Sequence, residues 1–62
     1  MLLPKIEKYL RATGMPPTRF GRECLGDPGF VFDLRAGREP RSYTATRVSA
    51  FIDNRWIDRH ER

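Results

Sequence analysis

The stretch Thr18–Arg38, TRFGRECLGDPGFVFDLRAGR, decides the fold of this chain. It is predicted to form two short helices joined by a tight turn. Gly26 ends the first of them, because glycine adopts the left-handed conformation that closes a helix. Asp27 has the residue type of an N-cap, and Pro28 suits the first helical position, where a missing N–H is harmless. The pair is therefore assigned as helix two over residues 16–25 and helix three over residues 28–36.

Helices are also predicted on both sides of this pair. Helix one covers Leu3–Thr13 and stops at Gly14. Helix four covers residues 43–57, where apolar residues recur at helical spacing, and Ser42 is its predicted cap. No stretch sustains the alternation that is typical of a strand. The prediction is an all-α fold, a compact four-helix domain over residues 1–58 with a frayed C-terminal tail at residues 59–62.

The apolar residues on the inner faces of these helices form the predicted core. A chain of 62 residues is small, and such a domain buries only about 60% of its unfolded surface. Roughly eleven side chains, each contributing about 1.5–3 kcal/mol on burial, are sufficient only if they pack well. The predicted core is Leu3, Ile6, Leu10, Phe20, Cys24, Leu25, Val31, Leu34, Val48, Phe51 and Ile52, with Phe30 or Tyr9 at its margin.

The composition argues against several classes of protein. A single cysteine rules out an internal disulfide, and no Cys/His cluster suits a metal, so neither a metal site nor a cofactor is predicted. The missing disulfides indicate a reducing cytoplasm. No apolar run approaches the ~20 residues that span a bilayer, so no membrane association is expected. There is no Ser-His-Asp set, paired-carboxylate site or phosphate loop, so neither enzymatic activity nor a small-molecule substrate is predicted.

Arginine dominates the positive charge of the chain. The formal net charge is +4, and all basic residues except Lys5 and Lys8 are arginines. The guanidinium fork matches phosphate groups and guanine edges. The arginines form two basic blocks, and a polyanion is the natural partner if folding brings them together. The blocks are Arg11, Arg19 and Arg22, and Arg35, Arg38, Arg41 and Arg47. The alternative explanation is an arginine-rich genome, which gives many small bacterial proteins this composition.

The helix pair resembles the helix-turn-helix of the phage lambda repressor-like (Cro-like) domains in the spacing of its inward residues, Phe20, Gly21, Cys24, Val31 and Leu34. In that family a small residue on the first helix, here Gly21, lets the second helix cross closely. The run from Gly37 to Pro40 is similar to the family's Gly-Lys/Arg-x-Pro segment. The resemblance covers about residues 3–53 and implies a cytoplasmic protein, encoded by a bacterium or a phage and associated with the nucleoid when bound.

Two features differ from the family pattern. The turn has the order Leu25-Gly26, whereas the family has a glycine followed by an apolar residue, and this shifts the register of the turn. The recognition helix, residues 28–36, also lacks glutamine and asparagine, which are the usual readers of adenine. Direct base readout by this helix is therefore expected to be limited.

The resemblance and the charge together predict a small sequence-specific regulator of transcription that binds double-stranded DNA. Basic residues around the recognition helix, and the start of helix two, are expected to contact phosphates. Phe32 has three open interpretations: contact with a thymine methyl group, a partly buried core position, or a protein contact. The predicted DNA-binding residues are Thr18, Arg19, Arg22, Phe32, Arg35, Arg38, Arg41, Tyr43, Thr44 and Arg47.

Trp56 and Ile57 go beyond what four short helices need. Either they pack back on helix one, or they form a homodimer interface, because DNA readers of this kind usually cover two half-sites. The alternative function is a protein-interaction module of the antirepressor or adaptor type, with Phe32 and Trp56 as anchors. The acidic residues of helix three favour this alternative.

Overall fold

The structure, a computed structural model, describes the backbone of residues 2–60 and the side chains of residues 2–56. Within this range the chain forms four helices and no strand: α1 (Leu2–Thr13), α2 (Pro17–Leu25), α3 (Phe30–Arg35) and α4 (Ser42–His60). α2 packs on α3, and α4 packs on α1 and α2. The prediction of a compact all-α domain with four helices is confirmed. None of these helices is long and apolar enough to cross a membrane.

A proline and a glycine determine the two ends of α2. Pro16 has an extended conformation with ψ 145°, which is what a following proline imposes, so α2 begins at Pro17 and not at residue 16. Gly26 ends α2 with φ 69°, and its N–H donates to the Arg22 carbonyl at 2.9 Å. This left-handed position explains why a glycine is needed there.

The outer ends of the chain differ from the predicted bounds. α1 begins at Leu2, one residue before the predicted start. α4 continues to His60, beyond both the predicted helix end at residue 57 and the predicted domain end at residue 58. Of the tail predicted at residues 59–62, the last two residues lie outside the described range.

α3 is shorter at both ends than the predicted helix over residues 28–36. Asp27 is not its N-cap, because α3 begins at Phe30; the Asp27 Oδ1 atom accepts the N–H of Gly29 at 3.1 Å, and the Asp27 carbonyl accepts the N–H of Phe30 at 3.1 Å. These bonds close a turn, and Gly29, at φ −90° and ψ 0°, becomes the N-cap. The predicted helix start at Pro28 was wrong because an aspartate that bonds two residues ahead stabilises a turn in competition with a helix.

α2 and the turn before α3 come into direct contact at Gly21. Gly21 is buried, and its carbonyl accepts the N–H of Asp27 at 3.1 Å. A Cβ atom at this position would clash with the carbonyl oxygen of Asp27 and lie 3.3 Å from Cβ of Phe30. Gly21 therefore allows the close approach that was expected of it.

A chain of aromatic contacts links three of the helices. The ring of Phe51 in α4 meets Phe20 of α2 edge-on, with 5.6 Å between centroids. Phe20 meets Tyr9 of α1 at 5.7 Å, and Tyr9 meets Trp56 of α4 at 5.7 Å. Aromatic pairs of this kind contribute about 0.5–1.5 kcal/mol each beyond the burial of their area. α4 is thus attached to the core at both ends of the aromatic chain.

Most of the predicted core is buried. Tyr9 and Phe30, which were placed at its margin, are both buried, whereas Leu3, Leu25 and Phe51 are half-buried and pack against it. Phe20 is fully buried, which is consistent with its two ring contacts. The buried cluster consists of Ile6, Tyr9, Leu10, Phe20, Cys24, Phe30, Val31, Leu34, Val48 and Ile52.

The variant Gly21→Ala tests the contact between α2 and the turn. The added methyl group meets the Asp27 carbonyl oxygen, so α2 and the turn must separate. We expect a decrease of about 1–3 kcal/mol in the free energy of unfolding, measured by urea denaturation. Gly29→Ala is the matched control, because the nearest atom to its Cβ is Asp27 Oδ1 at 3.7 Å. Equal stability of the two variants would contradict the role assigned to Gly21.

Candidate nucleic-acid interface

The loop after α3 and the start of α4 come together beside α3. An open groove with a volume of about 330 Å³ lies between these segments. Asp27 and Asp33 also line it, from the turn before α3 and from α3 itself. Four residues of the predicted DNA-binding set line this groove: Arg38, Arg41, Tyr43 and Thr44. Folding therefore brings together residues that the sequence analysis had assigned to one interface.

Phe32 lies on the outer side of α3. Its neighbours in the helix, Val31 and Leu34, are buried, whereas Phe32 is 48% exposed. The interpretation of Phe32 as a partly buried core residue was therefore wrong. Contact with a base and contact with a protein remain the two interpretations of this side chain.

Arg35 is held by a carboxylate of α1. Its Nε atom donates to Glu7 Oε2 at 2.8 Å, and its Nη2 atom donates to Glu7 Oε1 at 2.9 Å. These hydrogen bonds hold the pKa of Glu7 below its ordinary value. The guanidinium also lies over the ring of Phe32, with its central carbon 5.6 Å from the ring centroid. Arg35 therefore has less freedom to contact DNA than the sequence suggested.

Two further arginines of the predicted set have carboxylate partners. Arg19 Nε donates to Glu23 Oε2 at 2.7 Å along α2, and this hydrogen bond lowers the pKa of Glu23. Arg38 Nη1 lies 3.8 Å from Asp33 Oδ2, and both side chains are substantially exposed. The Arg38 contact is long, so it holds this side chain less firmly than Glu7 holds Arg35.

The remaining arginines of the set are available for an external anion. Arg22, Arg41 and Arg47 are exposed, and none of them forms an ion pair with a carboxylate among residues 2–56. Thr18 is also exposed, in the first turn of α2. The interface thus divides into arginines that are already paired and arginines that are not.

The surface shared by α2 and α4 carries additional positive charge. Burial raises the pKa of the Cys24 thiol, and the charges of Arg47 and Arg55 act in the opposite direction. Arg55 lies over the ring of Phe51 at 4.3 Å from the centroid. Arg55 was not among the predicted site residues, although its spacing of four residues from Phe51 predicts this contact within a helix.

Trp56 packs on α1. Its ring contacts Tyr9, and Lys8 Nζ lies 5.8 Å from the ring centroid. The interpretation that Trp56 packs back on the first helix is therefore confirmed. A homodimer interface at Trp56 stays a prediction, and the side chain of Ile57 lies outside the described residues.

Glu7 holds Arg35 in place at this interface, and it was not among the residues predicted from the sequence. It lies 28 residues from Arg35, so no local spacing indicates the pair. No group of three or more His, Cys, Asp or Glu side chains suited to a metal ion occurs in the part of the chain that the structure describes.

Comparison with known proteins gives no match. No protein-family model matches the chain, and searches of curated proteins and of solved structures return no significant similarity. The function must therefore be inferred from the geometry and charge of the chain's own residues.

The variant Glu7→Gln tests the bond between α1 and α3. The hydrogen bonds from Arg35 lower the pKa of Glu7 from its ordinary value of 4.5. The pair therefore stabilises the fold fully at pH values above the pKa that Glu7 has in the unfolded chain. This contribution is lost as the pH falls through the lowered pKa. We expect Glu7→Gln to be less stable than the wild type at pH 7, and the difference in free energy of unfolding to shrink as the pH falls well below 4.5.

Urea denaturation over a series of pH values measures this difference. Glu39→Gln is the control, because Glu39 is exposed and forms no ion pair among the described side chains. A Glu7→Gln deficit that stays constant from neutral to acid pH would rule out the proposed electrostatic origin.

Proposed function

We propose that the chain is a small, sequence-specific regulator of transcription that binds double-stranded DNA through α2 and α3. In this proposal the two helices act as a lambda repressor-like helix-turn-helix. The observation that carries the proposal is the close packing of α2 on the turn at Gly21, which leaves the outer side of α3 uncovered at Phe32. A helix presented in this way can enter the major groove of DNA.

Exposed arginines on the segments that precede and follow α3 in the chain support the same proposal. Arg22 comes from α2, Arg41 from the loop, and Arg47 from α4, and all three are exposed. Phosphate contacts supply most of the affinity of a DNA-binding protein, and they also orient it on the duplex. Arginines without a carboxylate partner give up no internal ion pair when they contact a phosphate.

The contribution of α3 to affinity is expected to be small. Asp33 carries a negative charge on this short helix, and Arg35 is paired with Glu7. Base contacts and the shape of the DNA therefore supply selectivity, while the residues around α3 supply affinity. Two copies of the chain, either as a homodimer or as monomers side by side, cover two half-sites about one helical turn apart in this proposal.

A protein-interaction module is the alternative function. The 48% exposure of Phe32 favours it as much as it favours DNA binding. Its second proposed anchor, Trp56, is half-buried and packs on Tyr9 of its own chain. This leaves Phe32 as the stronger of the two anchors, and loss of a protein partner in Phe32→Ala with unchanged DNA binding would favour the alternative.

Salt dependence of DNA binding tests the proposal. For the wild type, the logarithm of the binding constant is expected to fall linearly with the logarithm of salt concentration, with a slope of about −0.9 per phosphate contacted. Arg41→Ala and Arg47→Ala are each expected to weaken binding and to make the slope less negative by about 0.9, uniformly across duplex sequences. Fluorescence anisotropy with duplexes selected from a random pool measures both quantities.

Lys8→Ala is the matched control. It removes one positive charge from an exposed residue of α1 that lies over the Trp56 ring and does not belong to the predicted DNA-binding set. The salt slope of this variant should equal that of the wild type. If the wild-type chain retains no duplex at low salt, the proposal of DNA binding is wrong.

A further inference from the structure

We propose that Phe32 reads the C5-methyl group of a thymine, and that Arg35 and Glu7 position its ring for this contact. The inference rests on the proposed DNA binding and names the base feature that α3 recognises. Three observations carry it: the exposure of Phe32, the contacts made by Arg35, and the ion pairs formed by the polar side chains on the outer side of α3.

The first observation is the position of Phe32. It is the third residue of the six-residue helix α3, and it is 48% exposed whereas Val31 and Leu34 are buried. Full burial of such a side chain contributes about 1.5–3 kcal/mol, and roughly half of this is unrealised at Phe32. An apolar partner that arrives on binding would gain this remaining contribution.

The second observation is the support for the ring. Arg35 lies over the ring of Phe32 while its fork is bonded to both carboxylate oxygens of Glu7. Glu7 belongs to α1, so the ring is held from a second helix and not by α3 alone. A ring supported in this way loses less rotational freedom when it binds. The bidentate bond to Glu7 also occupies the donors with which Arg35 would read a guanine.

The third observation concerns the other polar groups of α3. Asp33 is associated with Arg38, at 3.8 Å, and Arg35 is bonded to Glu7. Phe32 is then the large outward side chain of α3 whose exposed part, away from the Arg35 guanidinium, can meet a ligand. The thymine methyl is the apolar group that base pairs present in the major groove, and phenylalanine is one of the side chains that contact it.

The surrounding charge points to DNA as the occupant. Exposed Arg22, Arg41 and Arg47 lie on the segments that flank α3, and none has a carboxylate partner among residues 2–56. An apolar protein partner would leave this charge unused, whereas the phosphates on either side of a major groove complement it. The apolar group that contacts Phe32 is therefore assigned to a base of the DNA.

Replacement of thymine by uracil tests the inference directly, because deoxyuridine lacks only the methyl group. Duplexes that bind the full chain are first selected from a random pool, and each thymine is then replaced by deoxyuridine one at a time. We expect one replacement in each half-site to weaken wild-type binding by about three- to fivefold, the effect of one buried methyl group. Phe32→Ala should bind thymine and deoxyuridine duplexes equally.

Matched variants separate reading from folding. Phe32→Leu keeps an apolar side chain and should retain part of the discrimination, while Tyr43→Ala removes the other exposed aromatic residue and should retain all of it. Circular dichroism checks that each variant is folded. Glu7→Gln should release Arg35, so discrimination against deoxyuridine falls while the salt slope becomes no less negative.

The outcomes distinguish this inference from the proposal beneath it. If no duplex binds the wild-type chain, DNA binding fails and the inference fails with it. If duplexes bind but no thymine position responds to deoxyuridine, or if Phe32→Ala keeps the discrimination, only the thymine inference is overturned. The inference is also overturned if the selected duplexes share no thymine at a fixed position.

Discussion

The close contact between α2 and the turn at Gly21 is the constraint on which the rest of the structure depends. Because Gly21 has no Cβ, the Asp27 backbone lies directly on α2 and is bonded to it at 3.1 Å. This contact brings Phe30 down onto the helix, and it determines which side of α3 faces inward. Phe32 is exposed because it lies on the face of α3 opposite to the buried Phe30, Val31 and Leu34. The contact at Gly21 therefore bears on both the packing of the core and the surface that α3 exposes.

Aromatic side chains hold this helix pair to the rest of the chain. Phe20 is fully buried between Phe51 and Tyr9, and Tyr9 in turn meets Trp56. In a domain of this size, a few large side chains must supply much of the burial. The residues that the sequence placed at the margin of the core, Tyr9 and Phe30, are accordingly needed inside it.

Local chemistry made the number of helices and the C-terminal ends of α1 and α2 predictable, because glycine acts on its immediate neighbours. The start of α3 was not predictable in this way, since Asp27 suits both a helix cap and a turn, and in the structure its side chain and its carbonyl both close a turn. The candidate site was less predictable still. Arg35 forms an ion pair with a carboxylate of another helix, whereas Arg47 forms none among the described residues. No spacing along the chain predicts which of the arginines is paired.

The division into paired and unpaired arginines determines which part of the proposed interface would supply affinity and which part would supply selectivity. Paired Arg35 and Arg38 bring the outer side of α3 close to neutral, whereas unpaired Arg22, Arg41 and Arg47 concentrate charge on the flanking segments. Phosphate contacts weaken with salt, but contact between an apolar ring and an apolar group does not. Affinity from the flanks would then change with ionic strength while the selectivity of the centre would not. A chain with no glutamine or asparagine on α3 can be selective in this way, because its discrimination depends on shape and apolar contact, not on hydrogen bonds to bases.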